Sequence, residues 1–253
     1  MRAPRYKKRP IGSIISLAKA LSVSKNKLLN CAKNSEKHYR ANEPEIKPSG
    51  GIRQHYSVSP LLSKIQKEIK RTIFYNIDYP IYLQGGVKDE AVPRDAISDA
   101  SIHAGREVII SEDISDYFPS IKSSLVLETW QYFFNFPEEV ALVLSSLTTY
   151  DGFLPQGAPT SSYIANLIFW DIEPLIEFEL REQGFIYTRY IDDITVSADN
   201  RVTKHEIEFI VSKIVGMLSK KDLKPNGDKY AIHTTDERRN IHNLNENTSK
   251  QTM

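Results

Sequence analysis

The chain has 253 residues, 40% hydrophobic and 26% charged, the balance of an ordinary globular protein and enough for one large domain or two subdomains with a buried core. No run approaches the roughly eighteen apolar residues of a membrane span, the single cysteine, Cys31, excludes an internal disulfide and a thiolate metal site, and basic residues 1–10 lack the apolar core of a signal peptide. A cytoplasmic protein with no membrane association is therefore expected. Net charge is only +1, yet residues 1–80 carry 17 Lys and Arg against 5 Asp and Glu, and residues 81–253 carry 16 against 27. A basic half beside an acidic half suits a protein that grips phosphates with one and holds metal ions with the other; the plain alternative for the basic half is a solvated helix face.

In chain order, residues 1–12 read as a flexible basic arm. Residues 13–20 and 25–34 have helical spacing, with Ser24 as an N-cap. Residues 40–58 read as a strand pair around Pro48-Ser49-Gly50-Gly51, whose glycines allow a tight turn. Leu61, Leu62, Ile65, Ile69 and Ile73 recur at helical spacing and predict an amphipathic helix over 61–74. A helix over 91–104, a buried strand over 108–114 and a helix over 123–135 follow. Ile164, Leu167, Ile168, Ile172, Leu175 and Ile176 predict one long helix over 160–180. Residues 186–190 and 194–198, β-branched and aromatic, predict a hairpin, followed by a helix over 203–219 and a returning strand over 224–232. There are no internal repeats and no low-complexity segments.

At the tip of that hairpin Asp192 and Asp193 stand side by side. Adjacent carboxylates repel unless a cation lies between them, and magnesium takes hard oxygen ligands from one or two carboxylates plus substrate phosphates. Asp113, at the end of the strand over 108–114, is the candidate third carboxylate. An isolated Asp-Asp pair makes a turn and nothing more, and any of these aspartates could be a structural cap. The companion motifs decide between these readings.

Those companions are Asp113-Ile114-Ser115-Asp116-Tyr117-Phe118-Pro119-Ser120-Ile121, then Leu154-Pro155-Gln156-Gly157-Ala158-Pro159-Thr160-Ser161-Ser162, then Tyr190-Ile191-Asp192-Asp193. The arrangement resembles motifs A, B and C of the reverse transcriptases, and the bacterial retron-type branch in particular. The N-terminal part is similar to that branch too, in Ile15 to Ser24, Tyr39-Arg40, Lys47-Pro48-Ser49-Gly50-Gly51-Ile52-Arg53, Pro60 and Gln66. The resemblance covers about residues 14 to 230. It implies an α+β fold, a polymerase right hand of fingers and palm with a split βαβ palm sheet. The implied spans are a basic N-terminal arm at 1–12, fingers with N-terminal helices at 13–104, a palm with motifs A to D at 105–235, and a short polar tail at 236–253. The thumb is expected to be absent or truncated, because Arg238-Arg239-Asn240-Ile241-His242-Asn243-Leu244 stands where retron-type enzymes carry a Val-Thr-Gly signature.

The resemblance also implies roles. Asp113 and Asp192 would bridge two Mg2+ ions, with Asp193 assisting and the backbone carbonyl of Ile114 as a further ligand. Lys229 would be the general acid that protonates pyrophosphate, or else a solvated lysine. Arg53 and Lys47 would hold the β- and γ-phosphates of the dNTP, as a planar guanidinium suits phosphate oxygens, or else be solvated residues of an exposed hairpin. The Gln156 amide would reach the nucleotide sugar, and Gly157 would let the backbone approach the base pair. Phe118 would block a 2′-hydroxyl and so select deoxynucleotides, or else be a core ring beside Tyr117. His103 matches part of an Asn-Ala-x-x-His pattern linked to recognition of structured RNA, although Asp99 replaces its Asn; the other reading is a helix-end hydrogen bonder. Arg5, Lys7, Lys8 and Arg9 are the RNA-binding candidates of the arm.

The function so implied is RNA-templated DNA synthesis from dNTPs on a structured RNA template with a nucleic-acid primer. Either another protein chain or the RNA would supply the clamp a thumb provides, or the products are short, or the chain is truncated. A role in bacterial anti-phage defence follows from the resemblance, since no maturase, endonuclease or integrase region is present. An RNA-templated RNA polymerase is opposed by Phe118 and by Tyr-Ile before the aspartates. A non-catalytic scaffold for RNA or a second polymerase is opposed by the clustered carboxylates.

Overall fold

The computed structural model describes residues 2–46, 51–89, 92–227, 229–234, 240–241 and 244–245. Its backbone forms two compact units that interleave in sequence, one made of Arg5–Asp78 with Phe118–Ile168, the other of Met1–Pro4, Tyr79–Tyr117 and Phe169–Met253. The sequence reading had instead drawn contiguous spans. The mixture of helices and sheets is the expected α+β class.

The first unit is built on helices. Ile14–Ala20 starts at Ser13 and Lys25–Lys33 at Ser24, each serine accepting the backbone N–H three residues on. Helix Pro60–Thr72 has Pro60 in its first turn, where a missing N–H costs nothing, and buries Leu62, Ile65, Gln66 and Ile69. Gln66 is fully buried, and its amide donates to the Leu147 carbonyl at 2.7 Å and to the Tyr39 hydroxyl at 2.8 Å. The expected strand pair is present twice over: Tyr39–Ala41 pairs with Tyr56–Val58, and Glu45–Ile46 with Ile52–Arg53. Helix Glu138–Thr148 was not anticipated, although Val140, Ala141, Leu144 and Leu147 recur at helical spacing and all are buried. The core is aromatic: Trp130 stacks on Phe134 at 4.8 Å and Phe74 on Tyr163 at 5.3 Å.

Four sequence expectations need correction. Residues 1–12 are not a free arm, because Arg5–Tyr6 pairs antiparallel with Ile77–Asp78 and the Tyr6 ring meets Phe134 edge-on at 5.1 Å. The helix expected over 91–104 is Ala96–His103, since Asp95 caps it by accepting the Ser98 N–H. The helix expected over 123–135 is α-helical only over Ser123–Glu128 and continues as a π-turn over Thr129–Phe133. The long helix expected over 160–180 is two helices, Ser161–Leu167 and Glu173–Glu182. Pro174 explains that break, lacking the N–H for the bond to residue 170 and bringing its ring against that carbonyl.

The second unit holds a five-stranded sheet in the order Ala231–Thr234, Val108–Asp113, Asp193–Ala198, Ile186–Tyr190, Leu83–Gln84. All neighbours are antiparallel except the last pair, which is parallel. Val108–Asp113 is buried almost throughout, Ser111 being the half-buried exception, so it is covered on both sides, as its run of Val108, Ile109 and Ile110 predicts. The strand expected over 224–232 is shorter: Pro225 bridges Ile114, and regular pairing resumes only at Ala231. Helix Lys204–Ser219 opens with a reciprocal Thr203–Glu206 capping box and buries Ile210, Ile214, Met217 and Leu218. Asn240–Ile241 pairs with Leu244–Asn245, whereas Arg238, Arg239, His242 and Asn243 lie outside the described residues. No helix among the described residues is long and apolar enough to cross a membrane.

Candidate active site

Sheet register brings the carboxylates together. Asp193 is the cross-strand partner of both Asp113 and Tyr190, so Ile191 and Asp192 form a two-residue hairpin turn. The Ile114 N–H donates to the Asp192 carbonyl at 3.0 Å, tying the two carboxylate-bearing segments at their ends. Ile191 has φ +61°, left-handed backbone that is costly for a β-branched residue.

The electrostatics match the crowding. Burial, and then the charges of Asp193 and Asp113, push the Asp192 carboxyl up to about 6. Asp113 is likewise raised by burial, against hydrogen bonds from Lys229 and Asn226 that work the other way. Lys229 Nζ donates to Asp113 Oδ1 at 2.7 Å, and Asn226 Nδ2 to Asp113 Oδ2 at 2.9 Å. Burial alone would lower the Lys229 ammonium, but its bond to Asp113 and the fields of Asp113, Asp193 and Asp192 lift it above its ordinary value. Next to Asp113, burial raises Glu112.

Among the described residues no three His, Cys, Asp or Glu side chains are arranged to enclose an ion. Asp113 instead spends both oxygens on Lys229 and Asn226. The donor chemistry nevertheless fits a hard divalent cation, because the carboxylates are held close enough to raise one another's pKa even with the single positive charge of Lys229 beside them.

The other sequence candidates fall as follows. Ile114 is buried and bridges Pro225. His103 is fully buried, with Nδ1 2.7 Å from the Ser197 hydroxyl and Nε2 2.7 Å from the Thr188 hydroxyl, so it offers RNA no surface and ties its helix to the hairpin strands. Tyr117 is the core ring, stacked parallel on Phe169 at 6.3 Å, whereas Phe118 is half-exposed. Arg53 is exposed on the strand Ile52–Arg53, and Lys47 lies outside the described residues.

Gln156 is half-buried, and its carbonyl accepts the Tyr56 N–H at 2.8 Å. Gly157 has φ +97°, and a Cβ there would stand 3.1 Å from the Tyr56 carbonyl oxygen, so the close approach it permits within the structure is to the strand Tyr56–Val58. In the arm, Arg5 and Lys7 both pair with Asp78, at 3.0 and 3.1 Å, while Lys8 and Arg9 are exposed.

Sequence reading missed three supports of the site. Asn226 gives Asp113 two bonds, the second from its backbone N–H to the Asp113 carbonyl at 2.7 Å. Gly85, at φ +68°, accommodates the Tyr190 ring, which an added Cβ would meet at 2.8 Å. Arg189 is fully buried in an ion pair with Glu173. Only Gly85 had a local signal, the adjacent Gly85-Gly86 before the helix.

The chain is similar to known proteins over most of its length. The chain is 33% identical over 237 residues to a retron Se72 reverse transcriptase of Salmonella heidelberg (strain 579083-10), covering 93% of this chain and 62% of that protein. It is 33% identical over 245 residues to the retron Ec48 reverse transcriptase of Escherichia coli, covering 93% and 59%, and 28% identical over 191 residues to the Escherichia coli retron Ec86 enzyme, covering 75% and 58%. The chain thus spans about six tenths of the length of these relatives. The family described as reverse transcriptase (RNA-dependent DNA polymerase) matches residues 4–245. With that match covering nearly the whole chain, and relatives at 33% identity, the chain belongs to the reverse transcriptase family.

Proposed function

We propose that this chain carries out RNA-templated DNA synthesis, extending a nucleic-acid primer with dNTPs on a structured RNA as a retron-type enzyme. The observation that carries this reading is the register that sets Asp193 opposite Asp113 beside an Asp192 carboxyl raised to about 6 by burial and like charge. A cluster of that kind gains from binding a divalent cation and has no reason to persist in a purely structural turn.

Asp113, Asp192 and Asp193, with the Ile114 carbonyl, would hold two Mg2+ ions. Bound there, the metal would make the primer 3′-hydroxyl more acidic and neutralise charge on the departing pyrophosphate. Lys229, whose ammonium donates a hydrogen bond to Asp113, would, once that contact is released, give its proton to the leaving pyrophosphate. Arg53 and Lys47 would bind the β- and γ-phosphates, Gln156 and Gly157 would line the nucleotide, and Phe118, whose ring is half-exposed, would exclude the 2′-hydroxyl. Lys8 and Arg9 are the arm residues best exposed for RNA. A cytoplasmic location and a role in anti-phage defence belong to this reading, both carried over from the sequence resemblance to the retron-type branch. A second protein chain or the RNA itself would clamp the duplex.

The test is sugar selection. Single-nucleotide incorporation on a primed RNA template should strongly favour dNTPs over rNTPs, and Phe118→Ala should erode that ratio by a few kcal/mol, about the discrimination a pocket achieves between near-identical substrates. A wild type without sugar preference would favour RNA-templated RNA synthesis instead. A Phe118→Ala variant that keeps the full preference would remove Phe118 from the gate.

A further inference from the structure

The Arg189 guanidinium is fully buried, and each of its three nitrogens is used. Nε donates to Glu173 Oε1 at 2.6 Å and Nη2 to Glu173 Oε2 at 2.8 Å, a two-pronged pair. Nη1 reaches forward instead and donates to the Ile191 carbonyl at 2.7 Å, inside the turn that carries Asp192. Glu173 is itself fixed by the Tyr187 hydroxyl at 2.7 Å. It stands at the N-terminus of helix Glu173–Glu182, where the helix dipole favours a carboxylate. The Phe169 ring packs 5.3 Å from the guanidinium and also stacks on Tyr117, four residues after Asp113.

A buried ion pair is a weak source of stability, since desolvation offsets most of its attraction and an apolar replacement is often neutral. Stability alone therefore does not account for Arg189. What it adds is a hydrogen bond to a residue at φ +61° that would relax out of the left-handed region if released. The break that Pro174 makes in the expected long helix is what places Glu173 at a helix start.

We propose that Arg189 is a positioning residue: clamped by Glu173, it holds the Ile191–Asp192 turn so that Asp192 and Asp193 face a shared divalent cation. This rests on the polymerase reading above.

Arg189→Lys keeps a positive charge opposite Glu173 but loses the planar fork that reaches both Glu173 and Ile191. Tyr187→Phe is the control, removing one bond to Glu173 while leaving the bond to Ile191. The readouts are amide hydrogen exchange at Ile191, Asp192 and Asp193, Mn2+ affinity by EPR, and kcat against KM for dNTP. Arg189→Lys should speed exchange at the turn at least tenfold, weaken Mn2+ binding about tenfold and lower kcat by ten- to a hundredfold with KM for dNTP unchanged. Tyr187→Phe, which leaves both prongs to Glu173 and the bond to Ile191 in place, should change all three in the same direction but less than Arg189→Lys does. If Arg189→Lys does not fold, Glu173→Gln, which keeps volume while loosening the clamp, is judged by the same exchange and Mn2+ measurements. A folded Arg189→Lys (or Glu173→Gln) with wild-type turn exchange and Mn2+ affinity overturns the proposal. Failure of the polymerase reading would look different: wild-type protein with an ordered, Mn2+-binding turn that extends no primer.

Discussion

The unit formed by residues 5–78 and 118–168 carries 17 Lys and Arg against 9 Asp and Glu, whereas the unit formed by residues 1–4, 79–117 and 169–253 carries 16 against 23. Burial separates them further. Every described charged or histidine residue that is buried lies in the second unit: Asp99, His103, Glu112, Asp113, Glu173, Glu177 and Arg189. The buried polar residues of the first unit are all neutral, Gln66 and Asn166 among them, and its core is the ring cluster of Phe74, Trp130, Phe134 and Tyr163. Burying charge is expensive unless something pairs with it. Among the described residues this unit buries six charged side chains, three of them at or beside the Asp113–Asp192–Asp193 cluster, and their cost is concentrated where the candidate site lies. The basic unit keeps its charges in water, where they serve long-range attraction at little cost to folding.

The larger effect that would sharpen this contrast belongs to the acidic unit. The Asp192 carboxyl ordinarily titrates near 3.8 and is raised to about 6 in the folded protein, so the native state binds more protons than the unfolded state between those values. Stability from the neutral carboxyl is present below about pH 4 and is lost as pH rises through about 6, by at most about 3 kcal/mol. Asp192→Asn cannot titrate there. Denaturation without divalent cations should therefore show the stability of wild type falling relative to Asp192→Asn from pH 4 to 7, with Mg2+ restoring part of the loss at pH 7. A pH-independent difference would mean that the carboxyl is not under this pressure.

The smaller effect belongs to the basic unit. Lys8 and Arg9 are exposed, whereas Arg5 and Lys7 already have Asp78 as a shared partner. Removing Lys8 and Arg9 together should reduce the slope of log affinity against log salt for single-stranded RNA by about 1.5, and removing Arg5 and Lys7 should change it less. Equal changes from the two pairs would mean that the Asp78 contacts do not hold in solution; no change from either would mark the arm as idle.

What the sequence disclosed follows the range of the forces involved. Val108–Asp113 and the hairpin strands were legible because short apolar runs, β-branched and aromatic residues and adjacent carboxylates are local signals. The helix break was written in Pro174 but hidden by apolar spacing that continues through it. Docking of the arm rests on Tyr6, an aromatic residue within a basic run whose partners, Phe134 and Phe136, come from far along the chain. Asn226 and Lys229 meet Asp113 across more than a hundred residues, and no local pattern announces such a pair. His103 misled for a physical reason: a polar residue on a short helix reads as a surface contact until two hydroxyls across the packing interface are seen to satisfy it.

The central claim is that Asp113, Asp192 and Asp193 make this unit a metal-dependent nucleotide-transferring centre. Primer extension on an RNA template with dNTPs and Mg2+ tests it directly, comparing wild type with the double variant Asp192→Asn and Asp193→Asn, which keeps side-chain size and removes charge. The account predicts extension by wild type and none by the variant, with folding retained in circular dichroism and thermal melting. A folded double variant that extends the primer at near wild-type rate would contradict it.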